Sequence, residues 1–270
     1  MPSPCIGVFD SGFGGLTVLK ALLELVPGAD YLYFGDTARL PYGSKSAETV
    51  AKYAIEAAHF LQRQGAHMLV IACNTATALA FDEIQSSTRI PVVGVVEPGA
   101  QAAAAASENE SVVVIATEAT VNSHAYQKAL EAHGMDARET ACPLLVPLVE
   151  EGWVDHPVTE QVARIYLEKA FSNGFQAADT LLLGCTHYPL ITPVLRRIVP
   201  ERVTIVDSAE STARVVQQDM QTHPYFAAGH PTHPSRLKFY ATDSAEKFQR
   251  LGAQFLGRPI DQVEHVDLKE

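Results

Sequence analysis

The chain has 270 residues, 47% of them hydrophobic and 19% charged, with a formal net charge of -11. That length and apolar content suit a folded α/β protein with a substantial core and exclude a disordered chain. The acidic balance, without any basic block, argues against nucleic acid as a partner, because phosphate binding rests on clustered Lys and Arg.

No apolar run is long enough to span a bilayer and no basic amphipathic helix is visible, so no membrane role is expected. Four cysteines, Cys5, Cys73, Cys142 and Cys185, sit in a long aliphatic chain without a leader-like start. They read as reduced thiols of a cytoplasmic protein.

In chain order, an apolar strand over 5–9 leads into Asp10-Ser11-Gly12-Phe13-Gly14-Gly15 and then a helix carrying Leu16, Leu19, Leu22 and Leu23. The glycines allow a tight turn and a close approach of backbone to a ligand. The loop lacks the ending of a Walker A motif and the G-x-G-x-x-G spacing. Its helix start still offers free N–H groups to an anion.

A second strand over 31–34 delivers Gly35-Asp36 and then Pro41-Tyr42-Gly43, a rigid turn or a pocket wall. Ser46 opens an amphipathic helix through Val50, Tyr53, Ala57 and Leu61. A strand over 68–72 ends in Cys73-Asn74-Thr75, and a helix over 75–84 and a strand over 91–96 follow. This alternation predicts a mostly parallel sheet covered on both faces.

Glu97-Pro98-Gly99 interrupts the alternation before an Ala-rich helix that ends at Ala106, and a domain crossing is expected there. A strand over 112–116 ends in Thr117-Glu118-Ala119-Thr120, ahead of a helix over 126–133. A short strand is expected over 144–149, then Glu150-Glu151-Gly152, then a helix over 158–171. The apolar run 181–183 stops at Gly184-Cys185-Thr186-His187-Tyr188-Pro189 before a helical segment over 190–199. A strand over 203–206, a return crossing at Asp207-Ser208-Ala209, a strand over 237–241 and a helix over 245–256 complete the chain.

Thr117 follows Asp10 by 107 positions and Cys185 follows Cys73 by 112, so the two halves echo each other. The expected fold is α/β, with two pseudo-symmetric lobes, each a mostly parallel sheet flanked by helices, and the active site in the cleft between them. Residues 1–97 plus 208–270 are expected to form the first lobe and 98–207 the second.

Cys5, inside an apolar strand, and Cys142, before a proline, read as small buried hydrophobes. Cys73 and Cys185 differ. Each ends a strand just before a helix, where the helix dipole lowers a thiol's pKa. Each is also followed by residues able to hold a carboxylate, Asn74-Thr75 and Thr186-His187. No metal is expected, because the thiols lack a C-x-x-C partner.

The stretch 223–234, with His223, His230 and His233, reads as a solvent loop, with metal binding as its alternative. Two thiols on opposite sides of one carbon suit a stereoinverting proton transfer, one removing a proton while the other donates. A disulfide redox pair and a bilobed amino-acid-binding module stay open on the residues alone. No lysine sits at a strand end, so no cofactor is expected, and preorganised donors must stabilise the transition state.

Seven stretches go further: 6–15, 35–37 with Pro41-Tyr42-Gly43, 71–76, 117–120 with Ser123 and Tyr126, 146–152, 183–189 and 206–209. With them the chain resembles the glutamate racemases, of the cofactor-independent aspartate/glutamate racemase superfamily, over most of its length. The resemblance implies interconversion of L- and D-glutamate, supplying D-glutamate for peptidoglycan synthesis. An aspartate racemase or another member of the same superfamily is the alternative.

The resemblance also implies that Cys73 acts on the D-isomer's proton and Cys185 on the L-isomer's, with Asp10 assisting Cys73 and His187 assisting Cys185. It places Asp10, Ser11, Pro41, Tyr42, Gly43, Asn74, Thr75, Thr117, Thr120, Thr186 and His187 at the substrate, with Glu151 a further candidate for the pocket. The implied partner is the small molecule glutamate, and the likeness is compatible with a homodimer. Ala116 stands where the family often has Gly, and Glu118 puts a charge in that loop. Proteobacterial members can carry an N-terminal extension tied to activation by a cell-wall precursor. Asp10 lies near the start here, so independence from that activator is expected.

Overall fold

In the computed structural model, which describes residues 4–222 and 234–268, the fully apolar runs become inner strands and the amphipathic runs cover them. The chain begins with β1 Cys5–Asp10, α1 Leu16–Leu25, β2 Asp30–Gly35, α2 Ala47–Arg63, β3 Met68–Ile71, α3 Asn74–Ser87 and β4 Val92–Gly94. Next come α4 Val96–Ala106, β5 Ser111–Ala116, α5 Glu118–Ser123, α6 Ala125–Ala132 and β6 Asp136–Ala141. α7 Leu145–Glu150, α8 Pro157–Ala170, β7 Thr180–Gly184, α9 Thr192–Ile198 and β8 Thr204–Asp207 follow. The last elements are α10 Ala209–Thr222, β9 Leu237–Ala241, α11 Ala245–Leu256 and β10 Glu264–His265.

Two sheets result, ordered β10-β9-β2-β1-β3-β4 and β6-β5-β7-β8. Every pairing is parallel. The second order repeats the β2-β1-β3-β4 portion of the first, so the echo between the halves extends to topology. β3 and β7 are buried along their whole length. Strands covered on both faces by helices read as continuous aliphatic runs, which is why they were legible in the chain.

The structure departs from the sequence expectations most at three elements. Residues 144–149, aliphatic enough to read as a strand, lie in the short helix α7. Pro147 falls in its first turn, where the missing N–H has no partner to lose. Pro98 and Gly99 do not break the chain but lie inside the first turns of α4, for the same reason in the case of Pro98. β6, with the sequence DARETA, has no apolar run at all. It is an edge strand paired only to β5, so little of it needs to be apolar.

One cluster of buried side chains runs through both sheets, from Ile6 and Val8 of β1 to Val113 and Ile115 of β5. α10 packs against both α1 and α4. The two sheets are thereby held with the carboxyl ends of their inner strands facing a common cleft.

Candidate active site

In each sheet the chain leaves the inner pair of strands, β1 with β3 and β5 with β7, in opposite directions. A crevice opens at the carboxyl ends of such a pair, where α/β proteins bind their ligands. Ser11 follows β1, Cys73 follows β3, Thr117 follows β5, and Cys185 follows β7. These ends line one cavity of about 280 Å³. That is close to the lower end of small-molecule sites, about 300–1,000 Å³.

Cys73 forms one wall. It is the N-cap of α3, and its sulfur accepts the Ala76 N–H at 3.4 Å and lies 3.5 Å from the Ser11 hydroxyl. Burial pushes this thiol up to about 12, the Asp10 carboxylate adds to the rise, and the hydrogen bonds from Ser11 and Ala76 pull back. The expectation that the helix start lowers the pKa therefore fails at Cys73. Desolvation and a neighbouring negative charge outweigh the dipole.

Cys185 forms the opposite wall. His187 Nδ1 lies 3.8 Å from its sulfur, and His187 Nε2 lies 3.3 Å from Glu150 Oε1. Burial disfavours the imidazolium, yet the contacts with Cys185 and Glu150 raise His187 to about 10. The ring stacks edge-on against Phe255 of α11, which fixes its plane.

Asp10 sits behind Ser11, 1% exposed, and its Oδ2 accepts the Gly12 N–H at 2.8 Å. Burial raises its pKa, while the His187 charge and the N–H groups of Gly12 and Gly15 oppose the rise. Asp10 is thus felt at both walls. Close approach of the loops requires Gly14. A Cβ there would lie 2.6 Å from His187 Nδ1, and still closer to Thr186 Oγ1.

Around the walls, Ser11, Pro41, Tyr42, Gly43, Asn74, Thr75, Thr117, Thr186 and Glu151 also line the cavity. Leu40, Pro143, Val146 and Pro147 give it an apolar side. Thr120 is fully buried and stands behind the lining, where its hydroxyl bonds those of Thr75 and Thr117 at 3.3 and 2.9 Å. Thr75 and Thr117 are themselves 2.9 Å apart.

The loop carrying Tyr42 is tied down from beneath. Tyr42 donates to Asp36 Oδ2 at 2.5 Å, Arg39 Nε donates to the same oxygen at 2.8 Å, and Thr242 donates to Asp36 Oδ1 at 2.9 Å. Arg39 also reaches Glu56 at 2.6 Å and lies over the Tyr53 ring.

A family model described as Asp/Glu/hydantoin racemase matches residues 6–216. The chain belongs to this racemase family. It is 59% identical to the glutamate racemase of Koribacter versatilis, with 98% of each chain covered. Among solved structures, it resembles the Francisella tularensis glutamate racemase in complex with D-glutamate, at a TM-score of 0.89 and 36% identity over 98% of each chain. The Thermus thermophilus glutamate racemase in complex with beta-chloro-D-alanine superposes at 0.87, with 42% identity over 98% of this chain and 97% of that one. Like these relatives, this racemase is an α/β enzyme.

The racemase site contains two groups that were not singled out in the sequence. Glu150, and not only its neighbour Glu151, faces the cavity and holds His187. Reading 144–149 as a strand concealed it. In a helix Val146 and Glu150 share one face, as do Pro147 and Glu151, and all four line the cavity. Asp36, legible only as the polar end of β2, is the buried anchor under Tyr42.

Among the described residues no group of three or more His, Cys, Asp or Glu could hold a metal ion, and no helix is long and apolar enough to cross a membrane. His223, His230 and His233 lie outside the described residues.

Proposed function

We propose that the protein interconverts L- and D-glutamate by exchanging the Cα proton between two thiols, without a cofactor. The observation that carries this reading is one small cavity lined by both Cys73 and Cys185, each at the end of an inner strand of a different sheet. From L-glutamate, the Cys185 sulfur takes the Cα proton, so a C–H bond breaks and an S–H bond forms. The Cys73 thiol gives its proton to the opposite face, so an S–H bond breaks and the inverted C–H bond forms. The reverse direction exchanges the two roles.

The unequal walls support that assignment. Cys73, pushed up to about 12 by burial and Asp10, enters the L-to-D turnover as the protonated partner. His187, held charged between Cys185 and Glu150, sets a cation beside the opposite sulfur. Asn74 and Thr186, which line the cavity, supply neutral donors for the substrate carboxylates. Neutral donors bind the ground state without over-stabilising it against the carbanion-like transition state. A cytoplasmic setting keeps the thiols reduced, and the product would supply peptidoglycan synthesis.

The test is incubation of the purified protein with D- or L-glutamate, and separately aspartate, in deuterated water without added cofactor. Racemisation of glutamate with deuterium appearing at Cα is the expected result. No exchange into glutamate, or exchange into aspartate alone, overturns the substrate assignment.

A further inference from the structure

Tyr126 and Ser208 lie within the stretches that mark the family, yet neither lines the cavity. Tyr126, on α6, is fully buried. Its ring packs so closely on the end of β7 that a Cβ on Gly184, the residue before Cys185, would lie 3.0 Å from Tyr126 Cε2. Its hydroxyl donates to Asn74 Oδ1, the residue after Cys73, at 2.5 Å. One side chain therefore touches both cysteine loops.

The direction of that hydrogen bond decides what Asn74 can do. A carboxamide has one accepting end and one donating end, and its orientation follows from its partners. Tyr126 has a second polar neighbour in the Ser208 hydroxyl, at the start of α10. When Ser208 donates to the Tyr126 oxygen, the Tyr126 proton is free to point at Asn74 Oδ1. The Asn74 amide group is then turned the other way. Its Nδ2 is buried and has no hydrogen-bond partner among the described protein atoms, while Asn74 itself lines the cavity. A buried donor of that kind is expensive to leave unpaired and strongly favours an anionic acceptor. The closeness of Gly99 of α4 keeps the pair in place, since a Cβ there would lie 3.1 Å from Ser208 Cβ and 3.2 Å from the Tyr126 hydroxyl.

We infer that Tyr126 is a positioning residue for the racemisation. Relayed from Ser208, it holds the Asn74 carboxamide with its donating end toward a substrate carboxylate and sets that donor against the Cys185 loop. This rests on the proposed function for the identity of the anion, but the arrangement itself needs only a carboxylate ligand.

A double-mutant cycle tests it, with kcat and KM measured on the amino acid that the wild type turns over fastest, glutamate on the proposed function. Tyr126→Phe keeps the ring and removes the hydroxyl. KM should rise about tenfold with a smaller change in kcat, the fold-change of one lost hydrogen bond to a charged ligand. Asn74→Ala should raise KM at least as much, and adding Tyr126→Phe to Asn74→Ala should change KM less than twofold.

Ser208→Ala, which leaves the tyrosine hydroxyl but frees its direction, should give a smaller rise in the same sense and covers the case of a poorly folding Tyr126→Phe. Multiplicative effects of Tyr126→Phe and Asn74→Ala overturn the inference, as does an unchanged KM in Tyr126→Phe or Ser208→Ala. A wild type inactive on glutamate but active on aspartate overturns the substrate assignment and leaves the cycle to be read on aspartate.

Discussion

The two thiol walls share a plan and differ in charge. Both cysteines end an inner parallel strand, and both are nearly buried. Cys73 caps a long helix and faces a buried carboxylate, whereas Cys185 precedes a short turn and faces an imidazole held by Glu150. Burial and the Asp10 carboxylate hold the Cys73 thiol in its protonated form near neutral pH. A repeated fold has thus been given opposite electrostatic partners on its two sides. On the proposed mechanism, that inequality makes Cys73 the thiol that rests protonated.

Removing either wall is the most severe way to break the comparison. Cys73→Ala and Cys185→Ala should each lower kcat by about a thousandfold or more, the upper range for loss of an acid–base group. Polarimetry or circular dichroism of D- and L-glutamate reads the loss, with far-ultraviolet spectra unchanged. A single variant that racemises at the wild-type rate would mean that the two walls are not partners.

Removing the charged neighbours should separate the walls, with kcat falling about a hundredfold in both Asp10→Asn and His187→Asn. Alkylation by iodoacetamide, followed by mass spectrometry, tells the two variants apart. In the wild type Cys73 should react slowly at pH 8. Asp10→Asn should speed Cys73, because it removes a negative charge that raises the thiol's pKa. His187→Asn should slow Cys185 and leave Cys73 alone. If both variants shift both thiols equally, the asymmetry assigned to the walls is wrong.

The His187 pairing also has a pH signature. Its pKa stands near 10 in the fold against 6.5 for the free side chain, so its contribution to stability is full below about pH 6.5 and is lost as pH rises through about 10. The Tm difference between wild type and His187→Asn should therefore shrink from pH 6 to pH 10. Glu150→Gln should flatten that trend and lower kcat about tenfold. A Tm difference independent of pH would show that His187 is not held charged.

The smallest effect is expected furthest from the thiols. Asp36→Asn weakens the anchor beneath Tyr42 and should raise KM about threefold with kcat nearly unchanged, the scale of one impaired hydrogen bond. A large fall in kcat there would place Asp36 in the chemistry itself.

What could be read from the chain followed burial. β1, β3, β5 and β7 are covered on both faces, so their aliphatic runs and the polar residues where they stop stood out, and with them Cys73 and Cys185. β6 was hidden because an edge strand need not be apolar, and α7 because six residues hold too little periodicity to separate helix from strand. Glu150 was lost with α7. The link from Tyr126 to Asn74 spans 52 positions, and no local pattern marks a contact made only when two sheets meet.

The three threonine hydroxyls at the lobe junction have one more consequence. Thr75, Thr117 and Thr120 already satisfy one another, so a ligand that presents no acceptor to this corner leaves nothing buried and unmatched. Sites whose polar groups depend on the ligand reject an analogue lacking the matching atom by about 10⁴ to 10⁵. This corner carries no such penalty. It should accommodate substrate mimics with blunt or apolar ends there, leaving selectivity to the orphaned amide of Asn74. A tight inhibitor would be built outward from that amide, and chemical variety would be tolerated at the threonines.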